Sequence, residues 1–217
     1  MNSPLDFRKE DAAEARDSFG ASFDRRNENR FRSVCRIARV TRASDSGLWR
    51  VRNISDKGMM LVTNVALAGG EPVEIALSED TQVGGRVVWA DKGLCGVAFS
   101  EPIDVVATLT SLAEQQQAES YRALRLPVEV EAIITTNTGS QAIDLVDISQ
   151  NGAGFRSSVS LEMGALVDLL LPQDELRRPA LVRWARGLCG GLWFTRPIPP
   201  TELESMAKWK SATILSK

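Results

Sequence analysis

The sequence contains no histidine, which removes the commonest general base, the commonest metal ligand and the usual catalytic triads. Its three cysteines, Cys35, Cys95 and Cys189, are dispersed and include no C-x-x-C pair, so they indicate neither a disulfide framework nor a zinc site. We interpret them as small buried side chains in a reducing compartment. These absences favour a protein that is not an enzyme, with no catalytic residues, no metal and no cofactor.

Long apolar runs are also missing. No stretch approaches the ~18 consecutive apolar residues of a membrane-spanning helix. The N-terminus has no apolar run after a basic start, so it does not resemble a signal peptide. Hydrophobic residues make up 43% and charged residues 25% of the 217 residues, which is typical of soluble globular proteins. We therefore predict a cytoplasmic protein without a membrane span.

Positive charge is concentrated in one part of the chain. The net charge is −2, yet residues 25–52 hold nine arginines against Glu28 and Asp45. Arginine offers a planar fork for phosphates and a flat face for stacking on bases, which lysine does not. The stretch therefore favours a phosphorylated or nucleotide partner, although solvated strand edges would explain it too. The nine residues are Arg25, Arg26, Arg30, Arg32, Arg36, Arg39, Arg42, Arg50 and Arg52.

The chain contains an internal repeat. Segment 86–103 matches segment 181–198 at an offset of 94 or 95 residues, and Asn53 to Gly58 matches Asp147 to Gly152 at an offset of 94. Arg36 matches Arg125 at an offset of 89. The difference predicts a longer hairpin loop in the second copy, within residues 137–141. Two pairs support the first match: Trp89 with Trp184, and Cys95 with Cys189.

Each copy is predicted to be a small antiparallel barrel or sandwich, because about six short segments rich in Val, Ile and aromatic residues alternate with turn residues. Between the copies, a stretch without Gly or Pro has apolar residues at helical spacing, which predicts a helix packed on the first barrel. Thr201 and Glu204 form a capping box that would begin a second helix. The predicted divisions are a flexible tail (1–28), domain 1 (29–103), a linker helix (104–120), domain 2 (121–199) and a C-terminal helix or tail (200–217).

Two short patterns in the first copy suit a binding site. Arg32 and Arg36 form an R-x-x-x-R pair, and Asn53, Ser55 and Gly58 follow as [D/N]-x-S-x-x-G. Arginine can fork onto a phosphate, bind a guanine edge bidentately or stack on a base. Asparagine and serine add polar groups, and glycine permits a close approach of ligand to backbone. Taken alone, the second pattern also fits a plain β-turn.

With the two patterns in this order and the second one repeated, the sequence resembles the PilZ family, bacterial receptors for the second messenger cyclic di-GMP. The resemblance covers roughly 30–103 and 120–198. It implies a mainly β chain of two six-stranded antiparallel barrels in tandem, with the arginine pair before the first strand and the second pattern on the barrel surface. Carried over, the ligand residues would be Arg32, Arg36, Asn53, Ser55 and Gly58, with Arg30 as an accessory.

The second copy departs from this pattern. Asp147, Ser149 and Gly152 are intact, but the alignment with Arg125 places Tyr121 where Arg32 stands, so only half of the arginine pair remains. An acidic strand, VEVEA, also replaces the arginine-rich strand of the first copy, and it should repel a dianion. We therefore expect weak or no binding by domain 2, with Arg125, Asp147, Ser149 and Gly152 as its weaker candidates.

The resulting hypothesis is a cyclic di-GMP receptor or adaptor that binds mainly through domain 1, changes conformation and signals to a downstream protein partner. An adaptor that binds no nucleotide is one alternative. A nucleic-acid-binding protein that uses the basic 25–52 segment is another, although the acidic remainder of the chain and the few aromatics in that segment argue against it.

Overall fold

The computed structural model describes residues 31–118, 121–171 and 177–203, and the side chains of the first strand from Arg36 onward. The predicted tail (1–28), Arg30 and residues 204–217 of the predicted C-terminal helix lie outside these ranges. Within them the chain forms two closed antiparallel barrels of six strands each, which confirms the predicted fold.

The first barrel has the strand order β1-β2-β3-β6-β5-β4, and it closes because β1 pairs with both β2 and β4. Its interior is filled by alternate aliphatic residues and by the fully buried Trp49. The sheet has no open edge, which removes the unpaired strand that invites aggregation. The strands are β1 (Phe31–Thr41), β2 (Ser46–Ser55), β3 (Gly58–Val62), β4 (Pro72–Ala76), β5 (Gln82–Asp91) and β6 (Leu94–Phe99).

The second barrel repeats this topology with the order β10-β11-β12-β9-β8-β7, closed by the pairing of β7 with β10. Phe155 and Phe194 are the largest side chains of its core. Its strands are β7 (Leu126–Thr136), β8 (Gly139–Ile148), β9 (Gly152–Ser157), β10 (Leu166–Leu170), β11 (Arg177–Arg186) and β12 (Cys189–Phe194).

The linker helix α1 spans Val105–Gln117 and begins at Asp104, whose carboxylate accepts a hydrogen bond from the Ala107 amide. This side-chain acceptor satisfies a first-turn donor that has no partner within the helix. Val105 and Leu112 are buried in the core of the first barrel, as the helical spacing predicts. Within the described ranges, neither helix has the length and apolar composition needed to cross a membrane.

The two barrels share a continuous apolar interface. Leu48 and Ala76 of the first barrel belong to the same buried cluster as Leu124, Ile198 and Leu203 of the second. Leu203 is the last described residue of the helical turn α2 (Pro200–Leu203). Because this turn begins at Pro200, the predicted helix start at Thr201 is wrong. Because buried apolar area drives association, this cluster fixes the barrels against each other.

The hairpins show that the predicted loop difference is wrong. In the first barrel β1 ends at Thr41 and β2 begins at Ser46, so four residues connect the strands. In the second, only residues 137 and 138 lie between β7 and β8. The second copy therefore has the shorter loop, and the five-residue difference came from matching Arg36 with Arg125.

Strand register corrects that alignment. Arg32 pairs with Asn53 in the first barrel, and Pro127 pairs with the corresponding Asp147 in the second. Arg36 lies well inside β1, opposite Val51, whereas Arg125 precedes the first residue of β7. By register, the residue that matches Arg125 is the one directly before β1, which is Arg30.

The cysteine match is also wrong by one residue. Trp89 pairs with Gly96, and Trp184 pairs with Gly191, so the barrels correspond here at a constant offset of 95. Cys95 is opposite Ala90, a position that Gly190 occupies in the second barrel. The fully buried Cys95 and the exposed Cys189 are therefore not equivalent.

Candidate functional site

The [D/N]-x-S-x-x-G pattern of the first copy forms the turn from β2 to β3. Ser55 is nearly buried, and its hydroxyl donates to the Gly58 carbonyl at 3.2 Å. A Cβ at Gly58 would lie 2.4 Å from the Val97 carbonyl oxygen of β6, so only glycine fits. Ser55 and Gly58 therefore have structural roles in this turn, and their contacts to a ligand stay a prediction.

The second copy builds the same turn between β8 and β9. The buried Ser149 donates to the Gly152 carbonyl at 3.1 Å, and a Cβ at Gly152 would lie 2.1 Å from the Leu192 carbonyl oxygen. The repeated serine and glycine are thus explained by the barrel itself. The expected difference in binding between the two domains would therefore come from the residues that surround the two turns.

Both turns also hold the chain as it leaves the last strand of its barrel. The Lys57 and Asn151 carbonyls accept from the amides of Phe99 and Phe194, each at 2.9 Å. The preceding carbonyls, of Asp56 and Gln150, accept from the amides of Ile103 and Ile198, each at 2.8 Å. In the first copy the Asp56 carboxylate accepts from the Val105 amide as well, at 3.2 Å, so this turn is joined to the start of α1.

Arg32 enters the first barrel directly beside this turn. Its backbone pairs with Asn53, and Phe31 pairs with Ile54. This pairing places Arg32 inside β1 and beside the turn, whereas the resemblance implies that the arginine pair precedes the first strand.

Arg36 is engaged elsewhere. Its guanidinium donates to the Leu112 carbonyl at 2.9 Å and to the Gln116 side-chain oxygen at 3.5 Å, both in α1. Partial burial lowers the pKa of Arg36, a shift that nearby Tyr121 opposes. Arg36 thus ties the first strand to the linker helix, and its predicted contact with a ligand would require these bonds to break.

Two further arginines of the basic stretch serve the fold. Arg39 donates to the Arg125 carbonyl of the second barrel at 2.9 Å and contacts Glu79 at 3.3 Å. Arg42 is buried against Asp45 at 2.5 Å and Glu71 at 3.2 Å. The hydrogen bond to Asp45 is the main cause that raises the pKa of Arg42, and both carboxylates raise it by their charge. Sequence reasoning missed both roles because the acidic partners are distant or in a loop.

In the second copy the arginine and the acidic motif residue bind each other. Arg125 donates to the Asp147 carboxylate at 2.6 Å, and the same carboxylate accepts from the Gly154 amide at 2.9 Å. In the first copy Asn53 occupies the position of Asp147 and has no charge with which to hold an arginine. The two motif positions therefore differ electrostatically although their turns are alike.

A cleft of about 580 Å³ lies over the motif turn of the second barrel. A smaller one, of about 240 Å³, lies between the barrels beside Arg36, Gln115 and Gln116. Residues 121–123 line both clefts, so one segment separates them. The larger cleft is lined by Tyr121, Arg122, Ala123, Arg125, Ser149, Asn151, Gly152, Arg183, Trp184, Gly191, Leu192 and Trp193.

Trp89 and Trp184 each lie against a glycine of the neighbouring strand. A Cβ on Gly96 or Gly191 would lie 2.1 Å from the indole nitrogen of Trp89 or Trp184. Each ring therefore has one face on the barrel, while 43% and 41% of the two residues remain exposed. This packing gives both tryptophans a structural role in their barrels.

These features define a class of protein. It has two closed barrels in tandem, each with the same serine–glycine turn, and an arginine-rich sequence at the start of the first barrel. The model of the PilZ domain matches residues 24–115 and 116–209, and the chain belongs to this family. The first match begins before Arg26 and Arg30, and the second begins before Tyr121 and Arg125.

Solved structures with a similar fold include PlzA of Borreliella burgdorferi in complex with c-di-GMP (12% identity, 80% of this chain and 86% of that chain, TM-score 0.38). The motility inhibitor MotI/DgrA of Bacillus subtilis is similar at 12% identity over 83% of this chain and 96% of that chain, with a TM-score of 0.33. YcgR of Escherichia coli in complex with c-di-GMP is similar at 12% identity over 83% and 84%, with a TM-score of 0.29. A search of curated proteins finds no match.

Proposed function

We propose that this chain is a non-enzymatic receptor for cyclic di-GMP that binds the nucleotide mainly through domain 1. The observation that carries the proposal is the backbone pairing of Arg32 with Asn53, which brings the arginine-rich approach to the motif turn. Cyclic di-GMP carries two phosphates and two guanines, and arginine can bind both kinds of group. Membership of the PilZ family supports the same ligand.

The register of the two barrels supports Arg26 and Arg30 as the principal phosphate clamp. Arg30 directly precedes β1 as Arg125 directly precedes β7, and four residues earlier stand Arg26 and Tyr121. The first copy therefore has R-x-x-x-R at the place where the second has Y-x-x-x-R. Arg32 stays a predicted ligand residue beside Asn53, and the contact of Arg36 with α1 gives it a different role.

Asn53 suits a receptor whose arginines must reach phosphates. In the second copy Asp147 holds Arg125 in a charged hydrogen bond, and such a bond competes with an incoming phosphate. A neutral amide at position 53 offers donors and acceptors to a guanine without that competition. The exchange of Asp for Asn thus favours binding by domain 1 over domain 2.

A path for signalling runs from the same strand. Arg36 bonds to the carbonyl of Leu112 in α1, and Arg39 bonds to the carbonyl of Arg125 at the entrance to domain 2. Ligand binding at the start of β1 would shift these contacts and change how α1 and domain 2 are held. The chain would then have two conformations, and the ligand would favour one of them. A protein partner would bind to the surface that this conformation exposes.

Calorimetric titration of cyclic di-GMP into the full chain tests the proposal, with GTP as the control ligand. We expect saturable binding that Arg26→Ala/Arg30→Ala weakens at least about 100-fold, because each charged hydrogen bond contributes roughly 1.5–3 kcal/mol. Arg8→Ala/Arg16→Ala removes the same charge farther from β1 and should change affinity little. Loss of binding only in Arg32→Ala/Arg36→Ala would place the clamp there instead.

Absence of any heat or shift in melting temperature with cyclic di-GMP would contradict the proposal. The chain would then be an adaptor that binds no nucleotide. Binding that fell steeply with salt and accepted any nucleic acid would instead support electrostatic nucleic-acid binding by residues 25–52.

A further inference from the structure

Domain 2 exposes more apolar surface than domain 1. Of the eleven large apolar side chains that are exposed in the described part of the chain, eight lie in domain 2. The most exposed are Met163 and Leu166, at 74% and 72%. Monomeric proteins rarely expose extended apolar patches, and such patches mark interaction surfaces.

An apolar row crosses the outside of three neighbouring strands of domain 2. Leu166 of β10 pairs with Leu181 of β11, and Leu181 pairs with Trp193 of β12, so the three side chains are neighbours on one face of the sheet. The residues next to them along the strands, such as Val167 and Val182, are buried in the core. Because side chains alternate between the two faces of a strand, the row faces outward. We call Leu166, Leu181 and Trp193 the outer row.

Domain 1 has different residues at the matching positions. There Pro72 pairs with Arg86, and Arg86 pairs with Ala98. The exposed Arg86 donates to the Gly70 carbonyl at 3.0 Å, so the middle of the row is polar. Because both barrels close with the same topology, the fold does not require an apolar residue at these positions. The outer row is therefore a feature of the surface of domain 2.

Opposite charges lie on the two sides of the outer row. Arg183 comes two residues after Leu181 in β11, and Asp168 comes two residues after Leu166 in β10. Because these strands are antiparallel, the two steps lead away from the row in opposite directions. Arg183 is exposed and Asp168 is partly exposed, and neither forms an ion pair with another described residue. Both charges are therefore available to a partner.

We propose that the outer row is the centre of an interface between two copies of this chain, related by a two-fold axis that runs along the row. In such an isologous contact each residue of the row meets its own counterpart, and a residue on one side of the row meets a residue on the other side. The axis therefore brings Arg183 of each copy to Asp168 of the other. A surface with one sign of charge would repel its own copy, whereas this surface attracts it.

The size of the surface also fits a second copy. A stable homodimer buries roughly 800 Å² of each partner, and about 65% of that area is non-polar. Together with the neighbouring Met163, the outer row exposes on the order of 400 Å² of apolar surface, which is most of that requirement. Trp184 is 41% exposed and lines the same cleft as Trp193, so it adds to the apolar area.

This inference goes beyond the receptor function proposed for domain 1, because the outer row belongs neither to the arginine-rich segment nor to the first motif turn. Self-association is measured without nucleotide, so either proposal can fail while the other stands. Domain 1 also supplies the matched variant: Leu181→Arg/Trp193→Ala gives the outer row the residues that domain 1 has at these positions, Arg86 and Ala98. Because the first barrel closes with those residues, this variant should fold.

The test is sedimentation equilibrium of the full chain over a range of protein concentrations. We expect the mass to rise with concentration from 23.7 kDa towards twice that value. Dimerisation should be at least about 100-fold weaker in Leu181→Arg/Trp193→Ala, because a tryptophan at the centre of an interface carries much of the binding energy. Val88→Arg, which places an arginine at an exposed apolar residue of domain 1, should leave dimerisation unchanged.

Charge exchange tests the two-fold arrangement. Arg183→Asp and Asp168→Arg each place like charges against each other in the proposed dimer, so each should weaken dimerisation about ten-fold. The variant that carries both substitutions has opposite charges again, and its dimerisation should return to within about three-fold of the original strength.

Three results would overturn the proposal. A chain that stays monomeric at every concentration would leave the outer row to a different protein or to residues 204–217 of the same chain. A dimer that Leu181→Arg/Trp193→Ala leaves intact would place the interface elsewhere. Failure of the exchanged charges to restore dimerisation would show that Arg183 and Asp168 do not meet across a two-fold axis.

Discussion

Domain 1 and domain 2 have the same serine–glycine turn, but the segments that precede their first strands differ in charge. Before β1 the chain has Arg26 and Arg30, and before β7 it has Tyr121 and Arg125. The asparagine of the first turn is neutral, whereas the aspartate of the second holds its arginine. A shared scaffold thus carries two motif turns with different electrostatic surroundings, and we expect their affinities for a ligand to differ.

The shared part of this comparison should be sensitive to glycine substitution in both domains. Gly58→Ala and Gly152→Ala each place a Cβ against a carbonyl oxygen of the last strand, at 2.4 and 2.1 Å. We expect a loss of about 3 kcal/mol in the free energy of unfolding, because backbone must move to relieve the overlap. Denaturant unfolding measures this loss.

Gly69→Ala is the control, because the nearest atom to its Cβ would lie 4.0 Å away. It should change stability by less than about 1 kcal/mol. Equal, small losses in all three variants would show that neither turn requires glycine.

The corrected register predicts that Cys95 and Cys189 behave differently. Burial raises the pKa of the Cys95 thiol to about 11, although a hydrogen bond with the Leu61 backbone opposes the shift. In the native protein at pH 8 a thiol reagent should modify the exposed Cys189 and spare Cys95, as peptide mapping would show. Equal modification of both would contradict the register.

Stability should respond to pH through the same thiol. Its folded pKa lies above that of an unfolded cysteine, so the folded state keeps the proton longer as pH rises. Stability from this group is therefore fully present below about pH 8.5 and is lost progressively as pH rises towards the folded pKa. Cys95→Ala should remove that part of the pH dependence from urea unfolding curves recorded at pH 8 to 11. An identical slope in the variant would show that Cys95 does not titrate as described.

Arg36→Ala should test the link between β1 and α1. The substitution removes the hydrogen bonds to Leu112 and Gln116. We expect the free energy of unfolding to fall by about 1 kcal/mol. If Arg36 ties strand to helix rather than binding ligand, the affinity for cyclic di-GMP should rise by up to about five-fold, because binding no longer has to shift these bonds. A loss as large as that of Arg26→Ala/Arg30→Ala would show that Arg36 binds the ligand.

The smallest effect is expected from Asp147→Asn, which gives the second turn the neutral amide of the first. The partly buried pair with Arg125 contributes about 1 kcal/mol, and the amide can still accept from Gly154, so stability should change little. Release of Arg125 should strengthen the binding of phosphorylated ligands by domain 2, measured in the chain with Arg26→Ala/Arg30→Ala. Unchanged binding would show that the pair does not compete with a ligand.

Much of the fold could be predicted from the sequence, because strand composition, turn residues and the repeated motif act locally. The alignment of the approaches could not, since R-x-x-x-R recurs within one arginine-rich stretch and only strand pairing distinguishes Arg30 from Arg36. The contact of Arg36 with α1 joins residues 76 positions apart, and no local pattern indicates it. Likewise, the sequence does not show whether the acidic strand of domain 2 lines its cleft, because that depends on how the closed barrel arranges the strands.

The central claim is that the charge of the segment before each barrel distinguishes the two domains. The substitution Arg26→Tyr tests this claim most directly, because domain 2 has Tyr121 at the matching position. Its effect is measured by calorimetric titration of cyclic di-GMP into the full chain, with Arg16→Tyr as the control for an added aromatic ring. We predict that Arg26→Tyr weakens binding at least about ten-fold, since one charged hydrogen bond is lost, and that the control leaves it unchanged. Full affinity in Arg26→Tyr would contradict the claim that the charge of this approach distinguishes the two domains.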